Sequence, residues 1–128
     1  MKFYPGSRVI NALLLLASIL LCAGCEGPMP GRFTRVSEPC AAKPNDYRVE
    51  VLDTLPSRPY TEIARLDVHM EEAFFAQPAL KDMMPELLRQ ARLAGADAII
   101  NVKERKSVIN ETRSLHVTAT GIKFTQAP

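Results

Sequence analysis

Apolar and polar residues alternate over residues 47–53 and again over about residues 60–70. A period of two places the apolar side chains on one face of a strand, so each stretch predicts a β-strand with one buried face. Pro56 and Pro59 interrupt the alternation and predict a turn between the two strands. Ile63 is out of phase with the apolar positions that follow it, which predicts a β-bulge at this residue.

The period of the apolar residues changes from two to about 3.6 in the next part of the chain. Apolar residues at helical spacing run from Leu80 to Ala91, which predicts an amphipathic helix over about residues 79–94. Gly95 follows directly and predicts a left-handed C-cap, because glycine adopts a positive φ at little cost. One face of this helix is apolar and can cover a sheet.

Alternation returns over residues 98–105 and 115–124, with a polar loop around residues 110–111 between them. These stretches predict two more strands, so the elements follow one another in the order β-β-α-β-β. A single amphipathic helix must then cover one face of the sheet. We expect a two-layer α+β domain over residues 47–128, with a four-stranded sheet covered by one helix.

The chain begins with a pattern typical of a secretory leader. Lys2 and Arg8 supply positive charge, and an apolar stretch follows over residues 9–21. This stretch is shorter than the roughly 20 residues that a membrane-spanning helix requires. Residues 1–24 are therefore predicted to be a signal peptide.

The sequence LCAGC at residues 21–25 resembles the bacterial lipobox, in which an aliphatic residue and two small residues precede a modified cysteine. The resemblance implies that Cys25 becomes the mature N-terminus and carries a diacylglyceryl group, with palmitate or another acyl chain on its amine. Two or more acyl chains hold a protein stably at a membrane. In such lipoproteins an aspartate after the cysteine favours retention in the inner membrane. Glu26 stands at this sorting position, so the periplasmic face of the outer membrane is favoured.

Residues 25–46 contain four prolines and have no apolar periodicity. This composition is typical of a linker, so we expect a flexible, Pro-rich tether between the lipid anchor and the domain. Cys40 lies in this tether. It has no partner within the mature chain, because Cys22 leaves with the leader and Cys25 is blocked by lipid.

The charge balance excludes some classes of function. The whole chain carries 16 Lys and Arg residues against 14 Asp and Glu residues, but Lys2 and Arg8 lie in the leader. The mature chain is therefore formally neutral and lacks the dense positive surface that binds nucleic acid. It also has no Trp, which leaves little material for stacking on bases or sugars.

The segment AGADAII at residues 94–100 joins the predicted helix to the next strand, and ATGIKF follows at residues 119–124. This pair of motifs resembles the YbjQ-type small domain and is similar to the RcsF-like domains of outer-membrane lipoproteins. The resemblance implies a small α+β fold over roughly residues 47–124, and it implies no activity, because a shared fold does not transfer one. RcsF-like domains are braced by disulfides, whereas residues 47–128 contain no cysteine.

We expect a non-enzymatic envelope lipoprotein whose periplasmic domain binds or senses another envelope component, with no cofactor. The alternative is a small metal-binding or hydrolytic domain that uses His69, His116 and Asp67, because histidine is a common metal ligand and zinc requires three or four ligands. The two histidines lie far apart in the sequence without paired-ligand spacing. No metal site and no catalytic site are therefore predicted.

Overall fold

The computed structural model describes residues 31–73 and 78–125. The predicted signal peptide, Cys25 and Glu26 lie outside the described residues. In order along the chain, the elements are β1 (Gly31–Arg35), β2 (Glu50–Val51), β3 (Tyr60–Ala73), α1 (Leu80–Ala94), β4 (Ala98–Ile109) and β5 (Thr112–Phe124). No helix in this described part is long and apolar enough to cross a membrane.

The strands form one mixed sheet in the spatial order β1-β3-β5-β4-β2. The first four strands in this order are antiparallel to their neighbours, and only β2 runs parallel, beside the start of β4. The predicted α+β class, with one helix on one sheet, is confirmed. The sheet has five strands instead of four because β1 adds an edge strand that the alternation of residues did not predict.

The core lies between α1 and one face of the sheet, where α1 contacts β3, β1, β5 and β4. Burying each large apolar side chain stabilises the fold by about 1.5–3 kcal/mol. The largest fully buried side chains of this cluster are Leu66, Val68, Met83, Leu87, Ile99, Leu115 and Val117. A second, smaller cluster of Ala98, Ile100 and Ile122 lies against Leu52, Tyr60 and Phe124.

Two irregularities bend the sheet. The register between β3 and β5 shifts between Glu62 and Ala64, which confirms the predicted bulge at Ile63. A second shift, between β4 and β5, lies between Ile100 and Lys103, where Asn101 has a φ of 54°. Beyond Lys103, β4 and β5 continue as a long hairpin.

The hairpin of β4 and β5 is longer than predicted, because a tight turn replaces the expected polar loop. Ile109 pairs directly with Thr112. The two residues between them, Asn110 and Glu111, have φ values of 46° and 59°, and two positive φ values are what a type I′ hairpin turn requires. The side chains near this turn are mostly exposed, so they carry no alternation that could reveal strands.

The predicted tether is wrong for residues 31–46, which are part of the folded domain. Strand β1 pairs along β3, with Phe33 opposite Leu66. Phe33 and Cys40 pack against the main core, and the Lys43 N–H donates to the carbonyl of Arg92 at 2.8 Å. Strand β1 is a five-residue edge strand that turns a single large apolar side chain toward the core, so the sequence shows no periodicity there. The prediction of a linker therefore rested on composition alone.

Candidate binding face

Helix α1 covers one face of the sheet, and we call the opposite face the open face. Its side chains are set by the strand register, because residues that face each other across strands lie on the same side of a sheet. The central row crosses four strands and consists of Arg32, Asp67, Thr118 and Lys103. A chain of polar side chains therefore runs across the sheet where a second covering layer is missing.

The neighbouring rows differ in polarity. On one side, Thr34 lies opposite Arg65, which lies opposite Thr120, and this row ends on β4 at the buried, apolar Ile100. On the other side, the row consists of His69, His116 and Arg105. The open face thus presents basic, imidazole and hydroxyl groups on its central strands.

The side chains of this face enclose a groove. One hollow has a volume of about 630 Å³, and its lining includes Arg32, Glu62, Arg65, Asp67, Lys103, Thr118 and Thr120. A second hollow of about 560 Å³ adjoins it at Asp67, Lys103 and Thr118 and extends toward Arg105 and His116. The open face is therefore a concave surface that can receive part of another molecule.

The cationic groups of the groove are largely free. Arg32 forms an ion pair with Asp67 at 3.6 Å, with side chains 83% and 37% exposed, and such an exposed pair contributes little to stability. Arg65, Lys103 and Arg105 form no ion pair with any of the described residues. Arg65 and Lys103 thus offer positive charge inside the groove, whose lining also includes the carboxylate of Glu62.

The structure brings together the two histidines that the sequence keeps apart. His69 and His116 face each other on β3 and β5, with ring centroids 4.1 Å apart. His69 Nε2 lies 2.9 Å from a carboxylate oxygen of Glu71, while His69 Nδ1 is buried without a hydrogen-bond partner among the described residues. Sequence spacing could not reveal this pair, because α1 and β4 lie between the two strands along the chain.

A further hollow on the open face is lined by all three candidate ligands of the alternative, metal-binding hypothesis. Asp67, His69 and His116 line a space of about 350 Å³ together with Gly31 and Arg32. However, within the described residues no group of three or more His, Cys, Asp or Glu side chains is placed to hold a metal ion. Arg32 also places a positive charge in this hollow, which opposes the binding of a cation.

A second polar cluster lies on the other side of the molecule, at the corner between α1 and β4. The Asp97 carboxylate accepts hydrogen bonds from Lys43 Nζ at 2.5 Å, from the Phe124 N–H at 2.9 Å and from the Tyr47 hydroxyl at 3.2 Å. The Lys43 and Asp97 side chains are only 22% and 16% exposed. This cluster ties the segment after β1 to the end of β5, so its role is structural.

The hydrogen bonds to Asp97 lower its pKa by more than desolvation raises it. Burial acts to raise the pKa of the Asp97 carboxyl, but the bonds from Lys43, the Phe124 amide and Tyr47, together with the Lys43 charge, hold that pKa below its usual value. The hydrogen bond with Asp97 also raises the pKa of the Lys43 ammonium, against the effect of burial. Both groups are therefore charged at neutral pH.

Replacing Asp97 with Asn should lower the free energy of unfolding at pH 7 by about 1–3 kcal/mol, because a charged acceptor for three donors is lost. The folded state lowers the pKa of Asp97, so its contribution is complete above the ordinary value of 3.8 and is lost as the pH falls further. Urea unfolding at several pH values checks this. The difference between the parent and Asp97→Asn should shrink on going from pH 7 to pH 3, and a constant difference would contradict the ion pair. The variant should keep part of the parent's loss of stability in acid, because the pKa of Glu86 is also lowered in the folded state.

Comparisons with protein-family models, curated proteins and solved structures found no match for this chain.

Proposed function

We propose that the protein is a non-enzymatic envelope lipoprotein, anchored by lipid at Cys25 on the periplasmic face of the outer membrane. Its domain binds or senses another envelope component. The N-terminal pattern supports the anchor, since a charged leader precedes a sequence that resembles a lipobox. The open face of the sheet supports the binding role and is the observation on which the proposal mainly rests.

Exposure alone does not distinguish a binding face, because many antiparallel sheets turn a polar face to water. Three features go beyond that. The face is concave, with a groove of about 630 Å³. Arg65 lies on the inner strand β3, with no acidic partner among the described residues. Thr118 and Thr120, on β5, add hydroxyl groups on the floor between Arg65 and Lys103. The groove is lined by three basic side chains against the two carboxylates of Glu62 and Asp67, and together with the hydroxyl groups this favours a polar partner surface that carries acidic groups.

The hydrogen bonds on this face support binding without catalysis. A serine, threonine or cysteine nucleophile is commonly activated by a base within hydrogen-bond reach. Neither His69 nor His116 is hydrogen-bonded to a Ser, Thr or Cys side chain in the described part of the chain. Cys40 lies away from the groove, and its Sγ is 3.7 Å from the carbonyl oxygen of Glu38.

A photocrosslinking amino acid in place of Thr118, in the membrane-bound protein in its own cells, should yield one defined crosslinked partner. Thr118 is exposed at the centre of the face, while the same group in place of Lys81, exposed on α1, serves as the matched control. Adding Arg65→Glu and Lys103→Glu should abolish the crosslink from position 118, because both charges then repel an acidic partner. Equal crosslinking from positions 118 and 81, or a crosslink that survives the charge reversal, would contradict a binding role for the open face.

A further inference from the structure

The end of the sheet at which the anchor joins the domain is defined by the strand directions. Gly31, the first residue of β1, lies opposite Val68, which lies opposite Val117. From this level β3 runs toward Ala73, and β5 runs back toward its first residue, Thr112. The turn between β4 and β5 therefore lies at the same end of the sheet as the entry of the anchor segment. On β5, five residues separate Val117, which lies at the height of Gly31, from Thr112 at the turn, and this corresponds to about 17 Å.

The segment between the anchor and the domain is short. Residues 26–30 lie between Cys25 and Gly31, and a chain of this length spans at most about 20 Å when fully extended. This reach is similar to the distance from Gly31 to the turn of the hairpin. A lipid on Cys25 thus holds this end of the sheet at the membrane surface. A tether of about 20 residues would allow the domain to lie far from the membrane, and a segment of five residues does not.

The turn of this hairpin carries exposed apolar side chains. Val108 is 63% exposed and Ile109 is 67% exposed, on opposite faces of the strand. Two basic residues precede them on the same strand: Lys106 lies two residues and Arg105 three residues before Val108, and both are exposed. We call residues 105–113 the hairpin tip. Its own residues carry a positive formal charge, since Arg105, Lys106 and Arg113 stand against Glu111. On β3, Glu72 lies opposite Arg113, so the positive charge offered to a partner is that of Arg105 and Lys106.

We propose that the hairpin tip docks on an anionic phospholipid surface beside the lipid anchor. The inference rests on the proposed lipid at Cys25, which supplies the proximity. Val108 and Ile109 enter the boundary between headgroups and acyl chains, while Arg105 and Lys106 remain among the anionic headgroups. The sheet then stands on its end, and the open face points sideways, free for its partner.

The chain has no Trp, so one Trp introduced by substitution is an unambiguous reporter. Ile109→Trp places it at the hairpin tip. Leu55→Trp is the matched control, because Leu55 is 63% exposed, close to the 67% of Ile109, but lies before β3, at the opposite end of the sheet. The lipidated full-length protein is reconstituted in vesicles of phosphatidylethanolamine and phosphatidylglycerol, with and without brominated acyl chains.

Brominated lipid should quench about half or more of the fluorescence of Ile109→Trp, whose emission should also shift to the blue, because bromine in the acyl chains lies near a side chain at that depth. Leu55→Trp should be quenched little. Adding Arg105→Glu and Lys106→Glu, or replacing phosphatidylglycerol with phosphatidylcholine, should reduce the quenching of Ile109→Trp.

Mass spectrometry of the N-terminal peptide separates the two proposals. If Cys25 is lipidated and Ile109→Trp is quenched no more than Leu55→Trp, the docking proposal is wrong and the anchor stands. If Cys25 carries no lipid, both proposals are wrong. Quenching that survives the charge reversal in full would overturn the role of the anionic surface.

Discussion

A secreted form of the protein that begins at Tyr47 should not unfold cooperatively, whereas one that begins at Gly27 should. Both forms replace the leader and Cys25 with an ordinary secretory signal, so neither depends on the lipid. The shorter form lacks β1, the side chains of Phe33 and Cys40 that pack on the main core, and Lys43, the ion-pair partner of Asp97.

Each of these losses weakens the fold through a separate mechanism. Without Lys43, the largely buried carboxylate of Asp97 loses its only ionic partner among the described residues, at a cost of about 1–3 kcal/mol. Without Phe33 and Cys40, apolar surface beside Leu66 and at the end of α1 is opened to water. The edge of β3 also loses its backbone partners. Domains of this size are stable by only roughly 5–15 kcal/mol in total, so the combined loss is a large share.

Thermal unfolding followed by far-UV circular dichroism distinguishes the two forms. We expect a sigmoidal transition for the form that begins at Gly27 and a broad, shallow one for the form that begins at Tyr47. A third form that starts at Gly27 and carries Lys43→Met isolates the ion pair and should lie between them. Equal transitions for the first two forms would show that residues 31–46 contribute nothing to the domain.

The elements that the sequence predicted well are those with one buried face. The helix was expected over about residues 79–94 and runs from Leu80 to Ala94, because α1 has a clear apolar stripe. Strand β3 was expected from about residue 60, and its bulge at Ile63 was found as well. In each case the core imposes a period on the side chains, and that period is visible in the sequence.

The elements that the sequence missed lie at edges or beyond the helix. Strand β1 turns only one large apolar side chain, Phe33, toward the core. The outer part of the hairpin, up to Ile109, is exposed on both faces. The predicted strand over residues 47–53 is reduced to Glu50–Val51. In β1 and in the outer hairpin, the burial that would produce a period is missing. Over residues 47–53 the period is present and Val49 is buried, but only Glu50 and Val51 pair with a neighbouring strand.

The candidate site could be predicted only in part, because it is assembled by pairing between distant strands. Alternation correctly placed Arg65, Asp67 and His69 on the polar side of β3. It could not show that His116 and Lys103 lie beside them, because the antiparallel pairing of β3 with β5 follows from the packing of α1. The groove is a property of the register, which no local pattern in this chain specifies.

Replacing Gly95 with Val should lower the free energy of unfolding by about 2–4 kcal/mol, since two effects add. Gly95 ends α1 with a φ of 87°, a left-handed conformation that β-branched residues strongly disfavour. There is also no room for a side chain, because a Cβ on Gly95 would lie 2.5 Å from the carbonyl oxygen of Ala41 and 2.8 Å from the Cβ of Cys40. The segment around Ala41 would have to move. That shift would also disturb the hydrogen bond from the Lys43 N–H to the carbonyl of Arg92.

Smaller substitutions separate these two effects. Asn tolerates the left-handed conformation better than other residues with a side chain, so Gly95→Asn retains the steric clash with less backbone strain and should still destabilise by more than about 1 kcal/mol. Gly121→Ala is the matched control, because its φ lies outside the left-handed region and its added methyl would meet the Cβ of Ala96 at 3.3 Å, a contact that a small shift can relieve. Urea unfolding of the four proteins should therefore rank the parent first, then Gly121→Ala, Gly95→Asn and Gly95→Val. If Gly95→Asn were as stable as the parent, the segment around Ala41 would not be packed against the end of α1, and the folded domain would begin after it.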